Sequence, residues 1–273
     1  MAQQKLYQVE GVVLGRRNYG EADRVIILLT AGGRLALLAK GIRKPHSRKA
    51  GHLELFSRSK VLISRVTNFW DIISQAEVLT TRPGIQADFQ RGTYARYVGE
   101  LALRFFEQEA NETLYTLVDS TLTLLENAEK PERVVCWYEQ HLLALAGFRP
   151  EWRHCVGFRE GQPCQEELHP RPGDQRPYGS APEQGGALCP DCLAAGQPSG
   201  LVSRLSPSAL SWLQAFQERE YSQLAEFDFP SKTATELRRV MKRYISYHLE
   251  WQPRTLRALN MHCFSILRSS PGE

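Results

Sequence analysis

The stretch DRVIILLTAGGRLALLAKGIRKPHSRK, residues 23–49, determines how the N-terminal third of this chain folds. It begins with a run of β-branched and Leu side chains that is typical of a strand. Gly32-Gly33 predicts a two-residue hairpin turn, because a type I′ turn needs positive φ at both central positions. Residues 34–39 then predict a second strand. The loop at 40–49 that follows contains five cationic residues and no carboxylate.

The pattern of short strands extends on both sides of this hairpin. Alternating side chains from Tyr7 to Gly15 predict a strand before it, and residues 53–64 and 69–79 predict two strands after it, joined at Thr67-Asn68. Five short strands without a helical period favour a small closed barrel. An OB-fold is the leading candidate, and the strand count alone leaves an SH3-like barrel open as the alternative.

Beyond Arg82 the apolar residues change to helical spacing. The pattern predicts helices over 85–105, 114–125 and 131–146, the last with Pro131 in its first turn and Gly147 just past its end. Ser206 and Ser231 are candidate N-caps of two later helices, and a final helix is expected from about 255 to 267.

These elements predict an α+β protein in which an N-terminal OB-fold β-barrel is followed by an α-helical bundle domain with an inserted four-cysteine zinc module. The barrel is expected over residues 1–80. The bundle is expected to combine 81–150 with 201–273. The insert, 151–200, holds seven Pro and eight Gly, which excludes a bundle helix there.

Four cysteines of the insert are candidate metal ligands: Cys155, Cys164, Cys189 and Cys192. The last two form a Cys-Pro-Asp-Cys half-site, because a two-residue gap lets both thiolates reach one tetrahedral metal ion. The other two are separated by eight residues, which is looser than usual. A segment with little apolar core needs such support, so we expect structural Zn²⁺, with His154 or His169 as substitute ligands. A redox dithiol of the thioredoxin type would need a strand-to-helix βαβ setting, which the sequence pattern does not indicate here.

The basic charge is concentrated in the predicted barrel. Residues 1–80 carry thirteen Lys and Arg against six Asp and Glu, a net charge of +7, whereas residues 81–273 carry −3. Such a surface can hold a phosphate backbone, although a basic loop or helix face is often only solvated. The expected DNA contacts are Arg16, Arg17, Lys40, Arg43, Lys44, Arg48, Lys49, Arg58 and Lys60 in the barrel and Arg238, Arg239, Lys242 and Arg243 on the helix after Ser231.

Four aromatic residues near the barrel cations are candidates for base stacking or for the core: Tyr19, Phe56, Phe69 and Trp70. The helix cations have alternatives too, as a solvated face or a receptor for an acidic peptide tail. The sequence has no phosphate-binding loop, nucleophile elbow, zinc-protease motif or kinase set. A metal-dependent nuclease is disfavoured because hard cations need clustered carboxylates. No window of eighteen apolar residues occurs, so a cytoplasmic protein without a membrane partner is expected.

The order of these parts resembles the RecO family of recombination mediators over nearly the full length. The stretch VVLGRRNYGEADRV, residues 12–25, is similar to the family's first strands and their turn at Tyr19–Asp23. Ala39-Lys40-Gly41 is similar to the loop after the third strand, and LAGFRP, residues 145–150, to the helix exit before the insert. The close Cys pair of zinc-bearing members is here spread to Cys155 and Cys164.

The resemblance implies a DNA repair factor that is not an enzyme. It implies binding to single- and double-stranded DNA, annealing of complementary strands, a RecR-like ring-forming partner, and loading of RecA onto strands covered by single-strand-binding protein (SSB). It also implies a bacterial cytoplasmic, nucleoid-associated location. A zinc-containing interaction adaptor that does not bind DNA is the alternative.

Overall fold

The computed structural model describes residues 6–66, 70–106, 110–171, 173–196, 200–249 and 255. The chain forms two compact units, the first made of residues 1–128 with 255–273 and the second of residues 129–254. The predicted α+β class is confirmed, whereas the predicted boundaries near 80, 150 and 200 stay predictions. Within the described residues, no helix is long and apolar enough to cross a membrane.

The first unit contains a closed five-stranded barrel in the order β1-β2-β3-β5-β4. All neighbours are antiparallel except β3 and β5, which run parallel and meet at Leu38 and Ile72. This Greek-key closure is that of an OB-fold, so the OB-fold prediction is confirmed and the SH3-like alternative is wrong. The strands are β1 (Leu6–Tyr19), β2 (Asp23–Thr30), β3 (Gly33–Ala39), β4 (Arg58–Ser64) and β5 (Ile72–Thr80).

Apolar side chains from all five strands fill the barrel, and fully buried examples include Val13, Ile26, Ile63 and Ile73. This inward set explains the alternation seen in the sequence, since successive strand residues point to opposite faces.

Two sequence predictions were wrong in detail near the strand ends. The turn between β2 and β3 is Ala31-Gly32, and Gly33, with φ of +105°, already begins β3. The Thr30 hydroxyl stabilises this turn by accepting a 3.1 Å hydrogen bond from the Gly32 N–H and donating one of 2.8 Å to the Gly33 carbonyl. The fourth strand begins at Arg58 and not at Leu53, because a short 3₁₀ turn and a positive φ at Phe56 precede it.

The described part of the first unit also contains three helices: α1 (Pro83–Ala87), α2 (Phe89–Phe105) and α3 (Glu112–Asn127). Asn111 caps α3, its side-chain oxygen accepting a 2.7 Å hydrogen bond from the Leu114 N–H. The buried Arg82 side chain joins α3 to the barrel. It donates to the Asp119 carboxylate at 2.6 Å and to the Phe56 carbonyl at 2.5 Å.

The second unit packs helices around a four-stranded sheet of order β11-β9-β10-β6. Its helices are α4 (Pro131–Leu145), α5 (Pro190–Ala195), α6 (Pro207–Glu218), α7 (Tyr221–Ala225) and α8 (Ser231–Leu249). Its strands are β6 (Glu151–Cys155), β7 (Phe158–Arg159), β8 (Gln162–Pro163), β9 (Tyr178–Ala181), β10 (Gly186–Leu188) and β11 (Ser203–Leu205), of which β7 and β8 form a separate hairpin.

The helix boundaries follow the sequence signals closely. Pro131 begins α4, and Gly147 lies just after its end with φ of +79°. Ser206 caps α6 through a 3.2 Å hydrogen bond from the Ala209 N–H. Ser231, predicted as a cap, is instead the first residue of α8. The predicted turn at 67–68, Phe69 and the final helix beyond Thr255 lie outside the described residues.

Candidate nucleic-acid interface and metal centre

The basic loop, residues 40–49, folds as a succession of turns fixed to the barrel. The Ile42 side chain is buried in the barrel core. The Gly41 N–H donates to the Asp23 carboxylate at 2.7 Å, and the Arg43 N–H donates to the Ala22 carbonyl at 2.9 Å. Gly41 has φ of +66°, a region that favours glycine. The loop is therefore docked on the turn between β1 and β2.

Four of the five loop cations are exposed, namely Lys40, Arg43, Lys44 and Arg48. Lys40, Lys44 and Arg48 border a cleft of about 840 Å³ whose other wall includes residues 74–76 of β5. Lys49 differs, because it is half-buried and its Nζ donates to the Ile73 carbonyl at 3.1 Å. Burial lowers the pKa of Lys49. The loop thus presents four cations to solvent and uses the fifth as an anchor.

The segment just after the loop also covers one edge of β5. Among the described residues, β3 and β5 share a single register pair, Leu38 with Ile72, so most of this edge lacks a strand partner. Lys49 caps the edge at Ile73, and the His52 Nδ1 accepts a 3.3 Å hydrogen bond from the Val78 N–H.

Other predicted DNA contacts on the barrel face carboxylates. Arg16 forms a 2.7 Å ion pair with Glu54, and Arg58 lies 3.3 Å from Asp119. Lys60 of β4 lies in register between Glu10 of β1 and Glu77 of β5, so its cross-strand neighbours on both sides are acidic. These three cations contribute little positive surface.

Arg17 and Arg24 lie at the end of the barrel that carries the basic loop. Arg17 is exposed near the end of β1. Arg24, which the sequence reasoning missed, lies in register beside Ala39 at the start of the loop, and its Nε donates to Asn18 at 3.1 Å. The sequence contained the signal, because Arg24 is a cationic residue directly before the apolar run of β2.

The candidate aromatic residues separate into two environments. Phe56 is buried in the barrel, whereas Tyr19 is 42% exposed and packs against the partly buried Trp70 with ring centroids 5.1 Å apart. Phe69 lies outside the described residues.

The cations of α8 lie in the second unit and mostly contact protein groups. Arg238 lies 3.9 Å from Glu132 of α4. The side chains of Arg239 and Arg243 donate to the Arg204 carbonyl at 3.0 Å and the Ser203 hydroxyl at 2.9 Å, respectively, both in β11. Lys242 is partly buried. The i, i+4 spacing of Arg239 and Arg243 therefore serves to hold α8 against β11.

The four cysteines predicted as ligands form one cluster, with the Sγ atoms of Cys155, Cys164, Cys189 and Cys192 all within 4.8 Å of one another. Three are buried, Cys164 is partly exposed, and none forms a disulfide. The loose spacing of the first pair is closed by the hairpin of β7 and β8. Hydrogen bonds at its base, from the Cys164 N–H to the Gly157 carbonyl at 2.8 Å and from the Gln165 N–H to the Cys155 carbonyl at 3.1 Å, bring both thiols to one place.

The cluster has the donor set and spacing of a tetrahedral thiolate site. Four sulfurs around Zn²⁺ at about 2.3 Å lie about 3.8 Å apart, within the spread observed here. The Cys189 N–H donates to the Cys155 sulfur at 3.2 Å, and the Arg159 guanidinium donates to the Cys189 sulfur at 3.0 Å. Burial raises the pKa of Cys192 to about 11, so a cation is needed to hold such thiols as thiolates near neutral pH. The residues present therefore fit a zinc site.

The two histidines considered as substitute ligands face carboxylates instead. His154 lies 3.6 Å from Glu151, and His169 lies 3.5 Å from Glu167. The cluster is thus made by cysteines alone among the described residues.

Comparison with known proteins identifies the same family for both halves of the chain. A family model described as "Recombination protein O N terminal" matches residues 1–82, and one described as "Recombination protein O C terminal" matches residues 86–257. The chain is 30% identical to the DNA repair protein RecO of Roseiflexus sp. (strain RS-1), covering 98% of this chain and 90% of that protein. It is 32% identical to that of Desulforudis audaxviator (strain MP104C), covering 92% and 95%. It is 31% identical to that of Dehalococcoides mccartyi (strain ATCC BAA-2266 / KCTC 15142 / 195), covering 92% and 93%.

Proposed function

This chain belongs to the RecO family of DNA repair proteins, and on that premise we propose that it is a recombination mediator that binds single- and double-stranded DNA. In this proposal it anneals complementary strands and, with a RecR-like ring protein, helps load RecA onto strands covered by SSB. It acts by binding and not as an enzyme. It works in the bacterial cytoplasm at the nucleoid.

The exposed cations of the basic loop support the DNA-binding part of this proposal. Lys40, Arg43, Lys44 and Arg48 project from a loop whose backbone is fixed to the barrel, so little ordering is needed when a phosphate backbone binds. Neutralised phosphates release counterions, which gives affinity without sequence readout. Arg17 extends the same basic end. The loop is thus suited to hold DNA backbone and not to identify bases.

A matched pair of single-charge variants tests the loop. Lys44→Ala removes a loop cation, and Arg34→Ala removes an exposed cation from the opposite end of β3. We expect Lys44→Ala to weaken binding for all sequences. It should also reduce the slope of log K against log salt by up to about 0.9 for duplex and 0.7 for single strands, whereas Arg34→Ala leaves both unchanged. Equal effects of the two variants would contradict the loop assignment.

The mediator part is tested by annealing complementary strands in the presence and absence of bound SSB. The wild-type protein should accelerate annealing in both cases, and the variant lacking Lys40, Arg43, Lys44 and Arg48 side chains should not. The adaptor alternative predicts partner binding with no affinity for oligonucleotides at moderate salt. The adaptor alternative is supported by Arg16 and Arg58, because both are paired with carboxylates and are less available to bind phosphates.

For the metal centre we propose a structural Zn²⁺ held by Cys155, Cys164, Cys189 and Cys192. Zinc in such a site contributes folding free energy and has no open coordination position for catalysis. The Arg159 guanidinium donates to the Cys189 sulfur and would offset the negative charge of a four-thiolate centre. It also contacts Glu166 at 2.5 Å and Asp191 at 3.3 Å.

A further inference from the structure

Tyr19 and Trp70 form an aromatic pair on the outside of the barrel that the core does not require. Their ring centroids are 5.1 Å apart at an interplanar angle of 55°. Tyr19 is 42% exposed and Trp70 is only partly buried, so ring surface remains open to water. Two adjoining aromatic rings that are open to solvent are chemically suited to stack an unpaired base.

Contacts of neighbouring residues fix the chain at both rings. Asp71, next to Trp70, accepts hydrogen bonds from the Tyr7 hydroxyl at 2.8 Å and the Val66 N–H at 3.1 Å. The Asp71 carbonyl accepts a third from the Leu38 N–H at 2.9 Å. Tyr19 is the last residue of β1 and pairs with the first residue of β2. A platform fixed in this way loses little conformational entropy when it binds a ligand.

Two exposed cations lie near Tyr19. Arg17 is two residues before Tyr19 on β1, and strand alternation puts both on the same face of the strand. Arg43 of the basic loop donates to the carbonyl of Gly20, the residue after Tyr19, at 3.3 Å. A base that stacks on the rings is covalently attached to its phosphates, and these two cations are suited to bind them.

From this arrangement we infer that Tyr19 and Trp70 are a stacking platform for bases of single-stranded nucleic acid, and that they give the barrel a preference for single strands over duplex. The inference rests on the proposed DNA binding and adds a base-dependent component to it. The basic loop contacts phosphates, which both forms of DNA possess. A duplex keeps its bases inside the helix, so only a single strand can offer one to the platform.

The test compares two oligonucleotides with the same number of phosphates, a thymidine oligomer and a matched oligomer of abasic sites, by fluorescence anisotropy. The wild-type protein should bind the thymidine oligomer about fivefold or more tightly than the abasic one. Tyr19→Leu combined with Trp70→Leu should abolish this preference and leave affinity for the abasic oligomer unchanged. Tyr19→Phe keeps the ring and should keep the preference.

Phe89→Ala is the control, because Phe89 is an aromatic residue of the same unit that is 61% exposed at the start of α2. It should retain the preference. If the double variant does not fold, Tyr19→Leu alone at its exposed position should still reduce the preference. The platform is refuted if the preference survives the loss of the rings, or if the wild-type protein binds both oligomers equally. Neither result contradicts phosphate binding by the basic loop. Failure to bind either oligomer overturns the proposed DNA binding and the platform together.

Discussion

The carboxylate of Asp23 accepts a 2.7 Å hydrogen bond from the backbone N–H of Gly41. The contact joins the turn after β1 to the loop after β3, two of the three stretches that resemble the RecO family. The adjacent bond from the Arg43 N–H to the Ala22 carbonyl, at 2.9 Å, reinforces it. An acidic residue beside a basic loop thus has a structural task, which is to fix the loop backbone.

Asp23 allows charge and positioning to be separated. Asp23→Ala removes a negative charge, which by itself would strengthen DNA binding, but it also leaves the Gly41 N–H without its acceptor. We expect positioning to dominate, so that Asp23→Ala weakens DNA binding, accelerates hydrogen exchange at Gly41 and destabilises the fold by about 1–3 kcal/mol. Asp23→Asn retains an acceptor oxygen and should bind DNA at least as well as the wild type. Tighter binding by Asp23→Ala would contradict this account.

Asp119 should be important for the stability of the first unit. Asp119→Ala leaves the buried Arg82 guanidinium without its carboxylate, and loss of one partner of a buried pair costs about 3 kcal/mol or more. Urea denaturation checks this. Glu21→Ala, at an exposed carboxylate in the same unit, serves as the control and should leave the midpoint unchanged. A similarly small effect of Asp119→Ala would show that the other acceptors of Arg82, the Phe56 and Asp119 carbonyls and the Thr123 hydroxyl, are sufficient.

The cysteine cluster predicts a metal stoichiometry near one zinc per chain. Cys189→Ser should reduce the metal released on denaturation to near zero and destabilise the second unit, because zinc binding is coupled to folding. Cys136→Ala is the control, since Cys136 is buried in α4 and lies outside the cluster. Retention of stoichiometric zinc by Cys189→Ser, measured by a colorimetric chelator, would refute the ligand assignment.

The partly buried imidazole of His141 should make the second unit less stable in mild acid. Burial lowers the pKa of His141, which packs on Trp137 at 4.2 Å between ring centroids. The unfolded chain, with a histidine pKa of about 6.5, therefore takes up a proton before the folded chain does, and stability falls as the pH drops below about 6.5. NMR titration should give His141 a midpoint below 6.5, and His141→Leu should reduce the loss of stability. A midpoint at or above the ordinary value would reverse the prediction.

The sequence was sufficient to predict elements with a local signature. Alternation identified the barrel strands, and Pro131 and the cap at Ser206 placed two helix starts. It was not sufficient to tell which cations remain free. Arg58 and Lys49 look like their neighbours in the chain, yet one pairs with Asp119, sixty-one residues away, and the other bonds to the Ile73 carbonyl. Such partners are set by tertiary packing, which spacing along the chain does not encode.

The cysteines are a second example of tertiary packing that spacing along the chain does not encode. The eight-residue gap between Cys155 and Cys164 is looser than that of a usual metal half-site, and the hairpin that closes it has only two residues per strand. Strands this short leave no periodic pattern in the sequence, so the four ligands could be predicted but the hairpin that brings the first two together could not.

The capped edge of β5 has a consequence for how this protein behaves in solution. A strand edge with unpaired N–H and carbonyl groups is a template for pairing with another molecule, and lysine near such an edge is a known protection against aggregation. Lys49 and His52 occupy the edge at Ile73 and Val78. We therefore expect Lys49 of the basic loop and His52 after it to reduce strand pairing between two copies of the protein at this edge. Variants that remove the charge of the basic loop should be checked for oligomers before a loss of activity is attributed to weaker DNA binding.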